Sequence, residues 1–263
     1  MNQGRLIISG TGLELGHVTT VTKGYIEQSD QVLYLVADPV TERWIKRLSA
    51  SAESLQDCYA ENKDRLQSYD EMVERILEKL RLNLEVCVLF YGHPGVFVNP
   101  SHRAIARARE EGFEAVMLPG ISAEDCLFAD LGVDPSLTGC QSFEATDFLV
   151  FKRNVDARSA LILWQIGVIG NLNFNLETRN GGSINLLVEY LQGFYPSSHQ
   201  VVVYEAAQYA LCKPVIQHVS LAQLENAPIN AISTLYIPPS EPSLPDEEML
   251  ARLGIVKSVL RKG

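Results

Sequence analysis

The first half of the chain alternates short apolar runs with longer amphipathic stretches. Apolar runs that predict buried strands lie at Arg5–Ser9, Gln31–Val36, Val86–Phe90 and Ala115–Leu118. Apolar residues at helical spacing occupy the intervals, at His17–Ser29, Thr41–Leu48, Lys63–Leu82 and Ser101–Glu111. Strands and helices in this order form a mostly parallel sheet with helices on both faces. The sequence therefore predicts an α/β fold.

A second α/β subdomain is predicted to begin near Pro119. Its strands are predicted at Ser159–Ile166, Gln200–Glu205 and Ile232–Ile237, and its helices at Ala123–Leu131 and Ile184–Tyr195. Four prolines between positions 238 and 245 predict a stiff linker, and an amphipathic helix is predicted over Asp246–Lys262. We therefore expect subdomains over residues 1–118 and 119–239, followed by a linker and a terminal helix over 240–263.

Composition and charge argue against several classes of function. With 22 basic and 32 acidic residues, the net charge is −10, which disfavours binding to nucleic-acid phosphates. Five widely spaced cysteines fit neither a disulfide framework nor a zinc ribbon, and we expect no metal site. No apolar run approaches the roughly 20 residues of a membrane span, and the N-terminal run is too short for a signal peptide. We therefore expect a cytoplasmic protein that binds no membrane.

Three glycine-containing segments follow predicted strands. The first, Gly10 to Gly16, places its third glycine one position too late for a dinucleotide fingerprint, and the plainer interpretation is a sharp turn. Tyr91–Phe97 and Pro119–Ala123 leave the carboxyl ends of strands, where open α/β sheets bind ligands. Ser122 is placed to cap the helix that follows, whose N-terminus offers free N–H groups. Together these two segments favour the binding of a nucleotide-like ligand.

A tyrosine and an arginine lie one helical turn apart on the longest predicted helix. Arg65 and Tyr69 occupy positions i and i+4, so they are neighbours on one face, and Tyr59 lies shortly before them. A guanidinium next to a phenol stabilises the phenolate and lowers its pKa from about 10. Tyr69 is therefore a candidate base, with surface stacking of the two side chains as the alternative.

Two long motifs resemble a known family. Tyr91–Arg103 (YGHPGVFVNPSHR) and Leu118–Leu131 (LPGISAEDCLFADL) closely resemble the borosin peptide backbone α-N-methyltransferases, a branch of the tetrapyrrole methylase (class III) fold. The resemblance covers about residues 5–240, and its further matching segments are Gly10–Gly12, Phe143–Ala145, Leu163–Gly167 and Ser233–Pro239. It implies two αβα subdomains with mostly parallel or mixed sheets and a donor cleft between them.

The resemblance also implies a reaction, the transfer of methyl groups from S-adenosylmethionine to backbone amide nitrogens of a peptide. It gives catalytic roles to Tyr69, Arg65 and Tyr91, with Tyr59 as a supporting aromatic residue. The positions it matches to donor binding are Tyr91, His93, Val96, Ser122, Ala123, Gln165, Ala206, Ser233 and Thr234. Because the amide lone pair is delocalised into the carbonyl, the reaction needs removal of the N–H proton or stabilisation of the carbonyl oxygen by a phenol such as Tyr91 or Tyr59. Spacing does not show which tyrosine loses its proton, and our hypothesis is that Tyr69 is the base. The family's interlocked dimers imply a homodimer.

The source of the peptide is a further expectation. Some members carry their substrate as a C-terminal extension, whereas here the resemblance ends near Pro239. The apolar stretch Ile255–Leu260 is short and flanked by charged residues, so it is a poor core peptide. We therefore expect a separate precursor, with a leader and a core, methylated repeatedly in trans. A heterotetramer of two enzyme chains and two precursors is one assembly that this arrangement allows.

Two other functions stay open on the residues alone. A small-molecule methyltransferase of the tetrapyrrole type would not explain the presence of Tyr59, Arg65 and Tyr69. It would not explain the long match after Tyr91 either. A catalytically silent protein that binds a peptide or a donor would not need these residues either. Masses of a co-encoded peptide after incubation with donor distinguish the three functions.

Overall fold

A computed structural model describes residues 4–36, 38–60, 63–171 and 181–256. Their contacts divide them into two compact units. The N-terminal unit contains residues up to Leu127 together with Ala206–Pro214, and the C-terminal unit contains the described residues from Phe128 to Glu205 and from Val215 onward. In the described part of the chain, no helix is both long and apolar enough to cross a membrane.

The N-terminal unit contains a five-stranded parallel sheet in the order β3-β2-β4-β1-β5. The strands are β1 (Arg5–Gly10), β2 (Gln31–Leu35), β3 (Ala52–Ser54), β4 (Glu85–Phe90) and β5 (Glu114–Met117). The helices are α1 (Thr20–Gln28), α2 (Pro39–Leu48), α3 (Arg65–Arg81), α4 (Asn99–Glu110) and α5 (Ala123–Leu131), the last of which ends in the C-terminal unit. In register, Phe90 lies beside both Gly10 and Leu35, so β1, β2 and β4 end at one edge of the sheet.

The long helix α3 packs one apolar face against this sheet. Asp64 caps its start by accepting hydrogen bonds from Leu66 N at 2.7 Å and from Gln67 N at 3.2 Å. The fully buried residues of this face are Met72, Val73, Ile76, Leu77 and Leu80. Leu66, expected on the same face, is 59% exposed because the packed face begins only after the first turn.

The C-terminal unit contains a five-stranded mixed sheet in the order β6-β7-β10-β8-β9. Its strands are β6 (Cys140–Glu144), β7 (Ala160–Trp164), β8 (Gln200–Glu205), β9 (Val215–Ser220) and β10 (Thr234–Ile237), and its helices are α6 (Ala145–Val150), α7 (Gly181–Leu191) and α8 (Glu247–Leu253). Only β6 and β7 pair in parallel. The expected α/β fold with mostly parallel or mixed sheets is confirmed, the first sheet being parallel and the second mixed.

The first and last helices, α1 and α8, are shorter than the sequence predicts. The first begins at Thr20, since Thr19 accepts a hydrogen bond from Thr22 N at 3.1 Å, and the preceding residues form a single 3-10 turn. The terminal helix ends at Leu253 because Gly254 adopts φ 67°, and positions 257–262 of the predicted helix lie outside the described residues. In α8, Met249 and Leu253 are 45% and 63% exposed while Leu250 is half-buried, so most of its apolar stripe lies exposed.

Three strands were not predicted, namely β3, β6 and β9. All three are edge strands of their sheets, and none contains a buried residue. An edge strand is covered on fewer sides than a central strand, so its residues need not be continuously apolar. Apolar runs therefore revealed the central strands and missed these edges.

Candidate active site

Three loops converge at the carboxyl edge of the N-terminal sheet. Gly12 N donates to Gly92 O at 3.2 Å, and Gly92 N donates to Gly12 O at 2.8 Å. A Cβ atom on Gly10 would lie 2.2 Å from Gly92 O, and one on Gly120 would lie 2.7 Å from the same oxygen. We call Gly10, Gly92 and Gly120 the glycine cradle. Its glycines allow backbone to pack on backbone, which goes beyond the sharp turn that the sequence suggested.

The loop from Tyr91 to Val98 is held by its own residues and by the start of α4. The Nδ1 atom of His93 accepts a hydrogen bond from Gly95 N at 2.9 Å. Ser101 Oγ donates to Val98 O at 2.7 Å and also to Pro94 O. His102 Nε2 lies 2.9 Å from Gly95 O. The Tyr91–Val98 loop is therefore a fixed structure, with Val96 exposed on it.

Ser122 caps α5 as predicted, and a residue that the sequence analysis did not single out completes the cap. Ser122 Oγ accepts from Asp125 N at 3.2 Å, while Asp125 Oδ2 accepts from Ser122 N and from Ser122 Oγ, both at 2.7 Å. This reciprocal arrangement is a capping box, and the Ser-x-x-Asp spacing was its signal. The hydroxyl of Ser122 donates to Asp125. Ser122 therefore contributes to the site mainly by fixing the start of α5, whose first residue is Ala123.

The structure brings together Tyr59, Arg65, Tyr69 and Tyr91, which we call the tyrosine group. Tyr59 and Tyr69 are half-buried against the apolar core under α3 and are hydrogen-bonded to each other. Arg65, at the start of α3, acts electrostatically on all three phenols. Tyr91 leaves β4 beside the glycine cradle and interacts with Tyr69. Arg65 and Tyr69 are therefore part of one group with Tyr91, and not an isolated surface pair.

The expected lowering of the Tyr69 pKa is wrong. Arg65 and a hydrogen bond with Tyr59 both act to lower it, but desolvation outweighs them and raises the pKa above 10.0. Desolvation also raises the pKa values of Tyr91 and Tyr59. The hydrogen bond with Tyr69 raises the Tyr59 pKa further, as expected if Tyr59 donates its proton to the Tyr69 oxygen. Within this pair Tyr69 is therefore the phenol that is easier to ionise.

The other donor-binding candidates lie on several loops. Gln165, Ser233 and Thr234 belong to the C-terminal unit, whereas Ala206 begins the segment that groups with the N-terminal unit. Gln165 adopts a left-handed conformation, with φ 60° and ψ 36°. Ser233 and Thr234 are buried at the start of β10. Among the described residues, no group of three or more His, Cys, Asp or Glu side chains is arranged to hold a metal ion.

Proteins with similar sequences have names that join a methyltransferase to a ribosomally synthesized cyclic peptide precursor. The chain is 42% identical over 258 residues to a methyltransferase/ribosomally synthesized cyclic peptide gymnopeptides precursor of Gymnopus fusipes, covering 96% of this chain and 61% of that protein. It is equally identical, over 258 residues, to the omphalotin A precursor of Omphalotus olearius, covering 96% and 62%. A type III borosin cyclic peptide precursor of Anomoporia bombycina is 40% identical, covering 98% and 30%. The chain thus spans about three fifths of the length of the first two relatives.

Solved structures share the fold at low sequence identity. A cobalt precorrin-4 methyltransferase superposes with a TM-score of 0.63 at 16% identity, covering 89% of this chain and 94% of that one. A uroporphyrin-III-C-methyltransferase from Thermus thermophilus gives 0.64 at 16% identity, covering 91% and 93%. The profile of the tetrapyrrole (corrin/porphyrin) methylases matches residues 5–223. The chain therefore belongs to the tetrapyrrole methylase family.

Proposed function

We propose that this protein transfers methyl groups from S-adenosylmethionine to backbone amide nitrogens of a peptide. The observation that carries the proposal is the tyrosine group beside the glycine cradle, since a proton acceptor and phenol donors meet at the sheet edge where α/β folds bind ligands. The names of the relatives, which join a methyltransferase to a cyclic peptide precursor, support a peptide acceptor.

The glycine cradle fits a donor of this kind. Side chains at Gly10 and Gly120 would collide with the oxygen of Gly92, and Gly92 itself adopts φ 71°, a conformation that favours glycine, so the sheet edge offers bare backbone to a ligand. When bound, S-adenosylmethionine supplies an electrophilic methyl group carried on a sulfonium. The residues proposed to hold it are Tyr91, His93, Val96, Ser122, Ala123, Gln165, Ala206, Ser233 and Thr234. Their roles rest on the resemblance of the sequence.

The acceptor is the more demanding reactant. An amide nitrogen is a weak nucleophile until its proton leaves or its carbonyl oxygen is stabilised as charge develops there. We propose Tyr69 as the base that accepts this proton, with Arg65 stabilising the phenolate. Tyr59 keeps its proton more firmly than Tyr69, and both Tyr59 and Tyr91, whose pKa values are raised by desolvation, are suited to donate to the carbonyl oxygen. Removal of one such donor typically costs about 2.7–4 kcal/mol of transition-state stabilisation.

We further propose a homodimer that methylates a separate precursor repeatedly. Incubation of the purified protein with S-adenosylmethionine and a co-encoded peptide should add one methylene mass per transfer, and fragmentation should place each addition on a backbone nitrogen. The same measurement on the protein alone tests methylation within the chain. Methylation of a tetrapyrrole and not of the peptide would favour the small-molecule alternative. Binding of both ligands without any mass change would favour a silent binding protein.

The rate of peptide methylation should depend on pH, and the surroundings of Tyr69 set the direction of that dependence. The base must be deprotonated, and burial holds the Tyr69 pKa above 10.0, so kcat/KM for the peptide should rise with pH throughout the range from 7 to 10. Arg65→Gln removes the charge that lowers this pKa, so the rise should move to higher pH. Arg65→Lys keeps the charge and should move it less. A flat profile for the unsubstituted protein, measured where methyl transfer limits turnover, contradicts the assignment of Tyr69.

A further inference from the structure

A carboxylate at the end of β8 anchors the loop that precedes β10. Glu205 Oε1 accepts hydrogen bonds from Ser233 Oγ at 2.6 Å and from Asn230 Nδ2 at 2.7 Å. The two donors are also joined to each other, since Asn230 N donates to Ser233 Oγ at 2.9 Å. Hydrogen bonds to an ionised acceptor are about twice as strong as those between neutral groups. Glu205 is therefore the strongest acceptor available to this loop.

The loop is closed by further bonds of the same residues. Asn230 Oδ1 accepts from Ile232 N at 2.9 Å, and Ser233 N donates to Asn230 O at 3.1 Å. Ser233 is fully buried, and its hydroxyl, N–H and C=O are all hydrogen-bonded within the protein. Ser233 thus contributes to a ligand site by placing its neighbours, and not through a free hydroxyl.

The loop in turn supports the segment that follows β7. Ile166 N donates to Ser233 O at 3.2 Å, and a Cβ atom on Gly167 would lie 1.8 Å from Asn230 O. Gln165, immediately before this contact, has φ 60°, a conformation that a residue other than glycine keeps only when its surroundings hold it. The backbone at Gln165 therefore depends on the 230–233 loop and, through that loop, on Glu205.

We propose that Glu205 is a positioning residue for the methyl donor. The proposal rests on the proposed function, in which Gln165, Ser233 and Thr234 bind that donor. The carboxylate fixes Ser233 and Asn230, and these fix Thr234 on one side and Gln165 on the other. The described hydrogen bonds of Glu205 go to Asn230 and Ser233 and to no member of the tyrosine group, so its loss should weaken donor binding and leave methyl transfer from saturating donor unchanged.

Calorimetric titration with S-adenosylhomocysteine tests this, since the product binds without reacting. We expect Glu205→Ala to raise its Kd by at least about tenfold, because the variant leaves Ser233 and Asn230 without their shared acceptor. Glu205→Gln keeps an oxygen that can accept from both groups, so its Kd should stay within about threefold of the original. Glu225→Ala, which removes an exposed carboxylate from the same unit, is the matched control and should bind normally.

The outcomes separate positioning from stability. A higher donor KM with unchanged kcat for Glu205→Ala supports the proposal, as does rescue by glutamine. Lower thermal stability with an unchanged Kd would overturn it, since a structural role alone gives that result. If Glu205→Ala does not fold, Asn230→Ala decides in its place: weaker binding supports the proposal and normal binding overturns it. Failure of the unsubstituted protein to bind S-adenosylhomocysteine would instead reject the proposed function itself.

Discussion

Tyr69→Phe is expected to slow amide methylation by about 10²–10⁴-fold, the usual contribution of a positioned general base. The substitution removes only the hydroxyl, so the ring should still pack against the core under α3. The Kd for S-adenosylhomocysteine should not change. Single-turnover rates at saturating donor and peptide measure the effect, because they report methyl transfer without product release.

Two further variants make the result interpretable. Tyr25→Phe removes a phenol from α1, outside the tyrosine group, and should retain normal rates. Tyr59→Phe should lower the rate through loss of a donor while preserving the rise with pH. If Tyr69→Phe keeps normal turnover and Tyr59→Phe abolishes the pH dependence, Tyr59 is the base and the assignment must be exchanged.

The raised pKa values bear on how such a base works. A phenol with a higher pKa is a stronger base but is ionised in a smaller fraction of molecules at neutral pH. The charge of Arg65 opposes desolvation at all three phenols, while the hydrogen bond with Tyr59 favours ionisation of Tyr69 alone. The hydrogen bond with Tyr59 thereby distinguishes Tyr69 from the other two phenols.

Gly10→Ala should prevent normal assembly of the glycine cradle. The new Cβ atom would lie 2.2 Å from Gly92 O and 3.1 Å from Gly120 Cα, and both neighbours are backbone atoms that cannot rotate away. We expect the free energy of unfolding to fall by about 1–3 kcal/mol, as for other overpacked sites. Displacement of the Tyr91–Val98 loop should also raise the Kd for S-adenosylhomocysteine by at least about tenfold. Urea unfolding and calorimetry measure the two effects.

Gly24→Ala is the matched control for this substitution. Gly24 lies within α1, and a Cβ atom there would meet nothing within 4 Å. Alanine in a helix interior is more stable than glycine by roughly 0.5–1 kcal/mol, so this variant should be slightly stabilised and bind the ligand normally. Equal behaviour of the two alanine variants would show that close packing at Gly10 has no special importance.

Local patterns in the sequence predicted most of the helices and strands. Continuous apolar runs predicted the central strands because a strand covered on both faces must be apolar along its length. The Ser122 cap was predictable because its partner, Asp125, is only three positions away. By contrast, β3, β6 and β9 lie at sheet edges, where partial exposure weakens the pattern.

Within the site, the sequence by itself determined which residue types are present and which neighbours share a helix turn. It placed Arg65 beside Tyr69 and put glycines at the strand ends. Only the tertiary structure decided that burial outweighs the arginine in setting the Tyr69 pKa, and that Glu205 holds residues 25 and 28 positions away. Desolvation and long-range hydrogen bonds depend on which groups the folded chain brings together, and spacing along the sequence does not contain that information.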